Sequence, residues 1–89
     1  MELEQAIATL RDYVQASFQI PKSDPDFNDD VHLFDYGYVD SFGAVRLLHF
    51  VESAFDVEIR EADLVAYPLN TIRQIAGFAM RRKNGESES

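Results

Sequence analysis

The sequence predicts an all-α fold, a small four-helix bundle with a long loop between the first two helices and a short third helix. Three observations carry this. Apolar residues recur in steps of three and four in three separate stretches, the signature of one buried stripe per helix. Prolines at 21, 25 and 68 fall between those stretches rather than inside them. The chain has 89 residues, 46% of them apolar, which is enough for one core and too little for two.

The first stripe is Leu3, Ile7, Leu10, Val14 and Phe18, with Glu2, Glu4, Gln5, Arg11, Asp12 and Gln15 mostly on the opposite face. It predicts a helix over about residues 2–19, ended by Pro21, whose ring disfavours helical geometry in the residue before it. From Pro21 to Tyr38 the chain reads as a long acidic loop containing Asp24, Asp26, Asp29, Asp30 and Asp35. Phe27, Val31, Leu33 and Phe34 are apolar enough to pin it to the helices, with room for a short helical turn.

The period returns from Ser41 with Ala44, Leu47, Leu48, Val51 and Phe55, predicting a helix over 41–55 with Asp40 as its N-cap. A turn into an extended piece follows over Ala54–Ile59, then a brief helix from Glu61 to Ala66 that stops before Pro68. Thr71 and Gln74 have capping-box spacing, and Ile72, Ile75, Ala76, Ala79 and Met80 form the stripe of a last helix. Arg81, Arg82 and Lys83 sit at its end, where cations favour the helix dipole. Residues 1–83 are expected to be one domain and 84–89, NGESES, a disordered tail.

Composition narrows the function. Sixteen acidic residues against eight Lys plus Arg give a net charge of −8, a surface that repels nucleic-acid phosphates and anionic lipid headgroups. Neither nucleic acid nor a membrane is an expected partner. The absence of cysteine excludes a disulfide scaffold, a Cys-based zinc site and thiol chemistry by the protein's own side chains. With no apolar run of membrane-spanning length and no basic, apolar leader in MELEQAIATL, a cytoplasmic location is expected.

Catalytic parts are scarce, and the chain does not read as an enzyme. His32 and His49 are its two histidines and fall in different elements without a nucleophile beside either. There is no phosphate-binding glycine loop, no HExxH and no G-x-S-x-G. Asp24, Asp26, Asn28, Asp30, His32 and Asp35 occupy the first, third, fifth, seventh, ninth and twelfth positions of a would-be calcium loop. However, Asp29 stands where the turn needs glycine, the last ligand is Asp rather than a longer Glu, and Pro25 spoils the frame. A solvated acidic loop is the better reading, and no metal site is expected.

Tyr38-Val39-Asp40-Ser41-Phe42 is the remaining candidate. A hydroxyl at a helix mouth is exposed, and the helix dipole and free N–H groups there favour a phosphate ester. Taken without context, however, Asp40 and Ser41 are ordinary capping residues.

The flanks supply the context. Leu33 to Ile59, LFDYGYVDSFGAVRLLHFVESAFDVEI, closely resembles the acyl carrier protein family around its phosphopantetheine attachment site. Family members show L-F-x-x-G-x-x-D-S-[LF] followed by a helix of the type x-x-V-x-L-[LV]-x-x-[LV]-E-x-x-F-x-[VI]-x-[IV]. Here those places are held by Leu33, Phe34, Gly37, Asp40, Ser41, Phe42, Val45, Leu47, Leu48, Val51, Glu52, Phe55, Val57 and Ile59. The resemblance continues through Asn70 to Ile75 and spans Leu3 to Lys83.

The resemblance implies an acyl-carrier-like four-helix bundle whose Ser41 is esterified with 4′-phosphopantetheine from coenzyme A by a separate, magnesium-dependent phosphopantetheinyl transferase. It implies that Asp40 helps hold that Mg²⁺ at the interface. The arm's thiol would carry an acyl or aminoacyl group as a thioester, and a chain without Cys has no internal thiol to intercept it. The implied partners are the transferase, an acyl- or aminoacyl-loading enzyme and downstream synthase enzymes, met by a monomer.

Phe42, Val45, Arg46, His49 and Glu52 are the expected partner-recognition face, with Gly43 leaving room for close approach. Fatty-acid carriers are usually acidic along this helix. Arg46 stands at a usually acidic place, Ser53 and Ala54 at two more, while Glu52, Asp56, Glu58, Glu61 and Asp63 remain acidic. A reversed charge repels partners built for the ordinary face. VDSFGAVRLL is similar to D-alanyl carriers of cell-envelope synthesis, whereas LLHFVESAFDVEI with NTIRQIAGFAMRRK is similar to discrete carriers of polyketide and mixed peptide pathways. The expectation is a discrete carrier of the specialised kind. The alternatives are a D-alanyl or fatty-acid carrier, or an unmodified carrier-like binding module.

Overall fold

The computed structural model describes residues 1–85 and contains four helices: α1 Leu3–Ser17, α2 Ser41–Phe55, α3 Glu61–Ala66 and α4 Ile72–Lys83. The expected tail falls mostly outside this range, since residues 86–89 are not described. α1 packs most extensively on α4, and α2 also lies against α4. Leu10 and Val14 of α1, Leu47, Val51 and Phe55 of α2, and Ile72, Ile75, Ala76 and Ala79 of α4 fill the space between them. This core follows the predicted stripes, except that Leu3 is exposed at the start of α1 and Phe18, Ala44 and Leu48 are only half-buried.

α1 ends two residues before the predicted stop, and the proline is not what ends it. Gln19 turns to a left-handed φ of 56°, and the amide of Ile20 donates back to the carbonyl of Gln15 at 3.0 Å. This six-to-one bond closes the helix before Pro21 is reached. α2 closes in the same way at Asp56, also at φ 56°, with the Val57 amide donating to the Glu52 carbonyl. α4 opens on the predicted capping box: Thr71 Oγ1 accepts from the Gln74 amide at 3.0 Å, and Gln74 Oε1 accepts from the Thr71 amide at 3.2 Å.

The acidic loop is tied down rather than solvated throughout. Ile20, Val31, Leu33 and Val39 are buried in the core. Arg11 of α1 donates two bonds to the Asp29 carboxylate, both 2.8 Å, and Arg73 of α4 donates to Asp30 at 2.7 Å. The main chain adds Arg73 N–H to the Asp29 carbonyl and Leu33 N–H to the Asn70 carbonyl. One carboxylate of the would-be calcium ligands, Asp30, and Asp29 at the place that needs glycine are thus held by guanidinium groups.

Two side chains expected on the surface are structural. The sequence places Asp63 among the acidic residues and Arg82 among the dipole-compensating cations, yet they form a bidentate pair at 2.8 and 3.1 Å. Asp63 is only 8% exposed. α2 passes so close to the end of α1 that a Cβ at Gly43 would sit 2.6 Å from the Phe18 ring. The space left by this glycine faces inward, which is why it is buried, and does not open towards a partner.

Hydrogen bonds from Arg11 hold the Asp29 carboxyl below the usual aspartate range, and those from Arg82, then from the Arg60 amide, do the same for Asp63. Each therefore binds its proton less readily folded than unfolded. The stabilisation is fully present above the unfolded value of about 3.9 and is lost as pH falls through the lower folded values. Urea midpoints are expected to hold steady between neutrality and about pH 5 and to drop below about pH 4, less steeply in an Asp29→Asn/Asp63→Asn variant. Gly43→Ala is expected to cost about 1 kcal/mol net, overpacking of about 1–3 being partly offset by about 1 of helix propensity. In a Phe18→Leu background the same urea experiment should show the substitution to be neutral or stabilising.

Candidate functional site

Ser41 is the first helical residue of α2, and its place is fixed by the residues before it. Leu33 and Val39 are buried, and the Val39 amide donates to the Leu33 carbonyl at 3.1 Å, closing a loop over residues 33–39. Gly37, at φ 83°, makes the turn inside that loop with its amide on the Phe34 carbonyl. Tyr38 donates its hydroxyl to Asp24 at 3.2 Å, tying the two ends of the acidic segment together.

Asp40 then caps α2. Its backbone is extended, at φ −96° and ψ −173°, and its Oδ1 accepts from the Gly43 amide at 2.7 Å. Its carbonyl accepts from Ala44 at 2.8 Å. Asp40 and Ser41 are both exposed at the resulting helix mouth. A hydroxyl here sits where the first-turn amides and the positive end of the helix dipole favour an attached phosphate.

Of the five residues expected to form one recognition face, the structure brings Val45, His49 and Glu52 to one cleft, while Arg46 lies apart from them. Phe42, Val45 and His49 are exposed, Phe42 to 84% and Val45 to 54%. Val45, Leu48, His49 and Glu52 line one side of a cleft of about 180 Å³ whose other side is Ile59, Arg60, Glu61 and Leu64. Arg46 lies on the other flank of α2, its guanidinium carbon 5.2 Å above the Phe18 ring. Glu52 is half-buried and accepts from the Ile59 amide at 2.8 Å, holding the α2–α3 linker against α2.

Sequence reading missed the contribution of α3. Leu64 and Val65 are 47% and 90% exposed, and Leu64 faces Val45 across the same cleft. Six residues are too few to show a helical period, so only the bare pair of adjacent apolar residues signals this face. Leu64 also lines a larger cleft, about 350 Å³, between Ala44, Leu47 and Leu48 of α2 and Tyr67 beyond α3. The two histidines occupy separate elements: His32 accepts from the Asp35 amide within its own loop, and His49 faces the cleft on α2.

Among the described residues no helix is long and apolar enough to cross a membrane, and no cluster of three or more His, Asp or Glu side chains is placed to hold a metal. A family profile for the phosphopantetheine attachment site matches residues 8–79, which covers α1 from its second turn through most of α4. No curated protein matches the chain. Such domains are typically non-catalytic and carry a covalently attached 4′-phosphopantetheine. Matched over most of its length and folded as four helices, the chain belongs to the acyl carrier protein type of phosphopantetheine-attachment family.

Proposed function

We propose that Ser41 is the residue that receives 4′-phosphopantetheine, and that the chain carries an acyl or aminoacyl group for a specialised pathway of polyketide or peptide type. The observation that carries the reading is the placement of the Ser41 hydroxyl, exposed at the mouth of a capped helix, within the matched segment. Bound there, the group supplies a terminal thiol that holds cargo as a thioester. The domain, residues 1–83, supplies the address, and a tether lets cargo reach several enzymes at high effective concentration. The protein itself is not an enzyme, and the transferase, a loading enzyme and synthase enzymes are its partners. A monomer in the cytoplasm suits this work.

Asp40 has two tasks in this reading. Its Oδ1 caps the helix, and its exposed carboxylate helps hold the Mg²⁺ that the transferase brings. The specialised pathway is favoured by the outer surface of α2, where Phe42, Val45 and His49 replace a continuous acidic stripe and Arg46 is held on Phe18. Partners that present cations to an acidic helix meet an apolar strip and a like charge instead. Phe42, Val45 and His49, joined by Leu64 and Val65 of α3, form the face that the partners read.

Intact-protein mass spectrometry after incubation with coenzyme A, Mg²⁺ and a broad-specificity transferase tests the site. The wild type is expected to gain one phosphopantetheinyl group and Ser41→Ala none, while the variant keeps its helical circular dichroism. A folded wild type that gains nothing would sink the assignment and leave the binding-module reading. Asp40→Asn keeps a good cap and should slow the mass gain with little change in urea midpoint. Asp40→Ala should also lose about 0.5–2 kcal/mol of stability.

A further inference from the structure

α3 differs from the other three helices in what it buries. Among its six residues the one buried side chain is Asp63, while Leu64, Val65 and Ala66 face outward. Of the flanking apolar residues, Val57 and Ile59 before it and Tyr67 after it are half-buried, and the first that reaches the core is Leu69, three residues beyond its end. A helix this short does not hold its shape alone in water. What fixes α3 must therefore come from Asp63 and from the contacts on either side.

Asp63 is held from two directions. Within α3 its Oδ2 accepts from the Arg60 amide at 2.9 Å and so caps the first turn. From α4, Arg82 donates Nη2 to Oδ1 at 2.8 Å and Nη1 to Oδ2 at 3.1 Å, and Nη1 also reaches the Glu58 carbonyl in the linker at 3.0 Å. The guanidinium lies over the Phe78 ring, 4.9 Å from its centroid, and Phe78 in turn packs on Tyr67. Arg82 thus grips the linker before α3 and the first turn of α3, while its ring support touches the residue after it. Both charged side chains are mostly removed from solvent, 17% and 10% exposed.

We propose that the Asp63–Arg82 pair is the positioning contact for α3, and through Leu64 for the wall of both clefts beside α2. Val65 and Leu64 belong to the face proposed above for partner reading, so the pair acts on that face without touching a partner. The positioning claim concerns the unmodified chain and does not depend on Ser41 receiving its group. A failure of modification and a failure of this contact are therefore separate results.

Residue-resolved hydrogen exchange on the full unmodified chain tests it, with Arg82→Gln, Asp63→Asn and the double variant, and Arg81→Gln as an exposed control. Each single change is expected to speed exchange of the Leu64 and Tyr67 amides by about tenfold or more, while Leu10, Val51 and Ile75 stay near wild type. The double variant should be no worse than the more affected single, because both changes break one link. Unchanged protection at Leu64 and Tyr67 would overturn the proposal, since the flanks would then suffice. Additive losses would overturn it too, by showing two independent roles. So would equal loss of protection, or unfolding, throughout the bundle, which would make the pair a general staple.

Discussion

The exposed helix mouth at Ser41 depends on immobilising the segment of residues 18–40 that separates α1 from α2. A connection of this length is costly to order, since each fixed backbone residue costs about 1–2 kcal/mol, and a free one would leave α2 without a fixed start. The chain ties it at intervals. Ile20, Val31, Leu33 and Val39 drop into the core, and between them Asp29 and Asp30 meet arginines from α1 and α4. The two ion pairs differ in kind. Arg73 and Asp30 are both more than half exposed, so water screens their attraction and the pair chiefly orients the loop. Arg11–Asp29 is bidentate with the carboxylate only 18% exposed, and the main-chain bond from Arg73 to Asp29 seals the same point.

Such anchoring uses the scarce cations of an acidic chain. Arg11, Arg73 and Arg82 each neutralise an aspartate that packing brings inward or against a helix, and Arg46 sits on Phe18. Other acidic groups stay exposed, at Asp26, Asp35, Asp56 and Glu58, while Glu61 edges the apolar strip that Val45 and Leu64 form in one cleft. A strip of this sort supplies contact area, while the surrounding charges set the direction and rate of encounter. α2 is therefore divided by side: Leu47, Val51 and Phe55 hold it in the core, Arg46 and Gly43 fit it to the end of α1, and Phe42, Val45 and His49 remain for contact.

What was legible in the residues is what repeats locally. α2 could be bounded closely because a cap, a stripe and a turn follow one another along the chain, as with Asp40, Ala44 to Phe55, and the turn that begins at Ala54. The attachment serine is different: an Asp-Ser pair caps many helices, and only its flanks from Leu33 to Ile59 single it out. The pairs Arg11–Asp29 and Asp63–Arg82 were not legible, since their members lie 18 and 19 positions apart and no local period links them. Gly43 could be seen as anomalous in a helix, but the ring that requires it belongs to Phe18, in another element. Likewise Leu3 continues the stripe of α1, yet the bundle ends before it reaches that turn.

The two ways of holding helices have different mechanical consequences. Leu10, Val14, Leu47, Val51 and Ile75 meet through many weak contacts that weaken gradually as helices shift, so α1, α2 and α4 move as one packed body. The bidentate contact at Asp63 is directional, and a displacement of about 1 Å takes both bonds out of range together. With so little apolar surface to slide along, α3 has a docked position rather than a continuum of nearly equivalent ones. Protonating Asp63 removes its charge from the pair, so the position of α3 is sensitive to acid, while the removal of both side chains from solvent leaves the pair little screened by salt. The bundle thus combines a fixed mouth at Ser41, set by apolar packing and the anchored loop, with one wall whose position rests on charge.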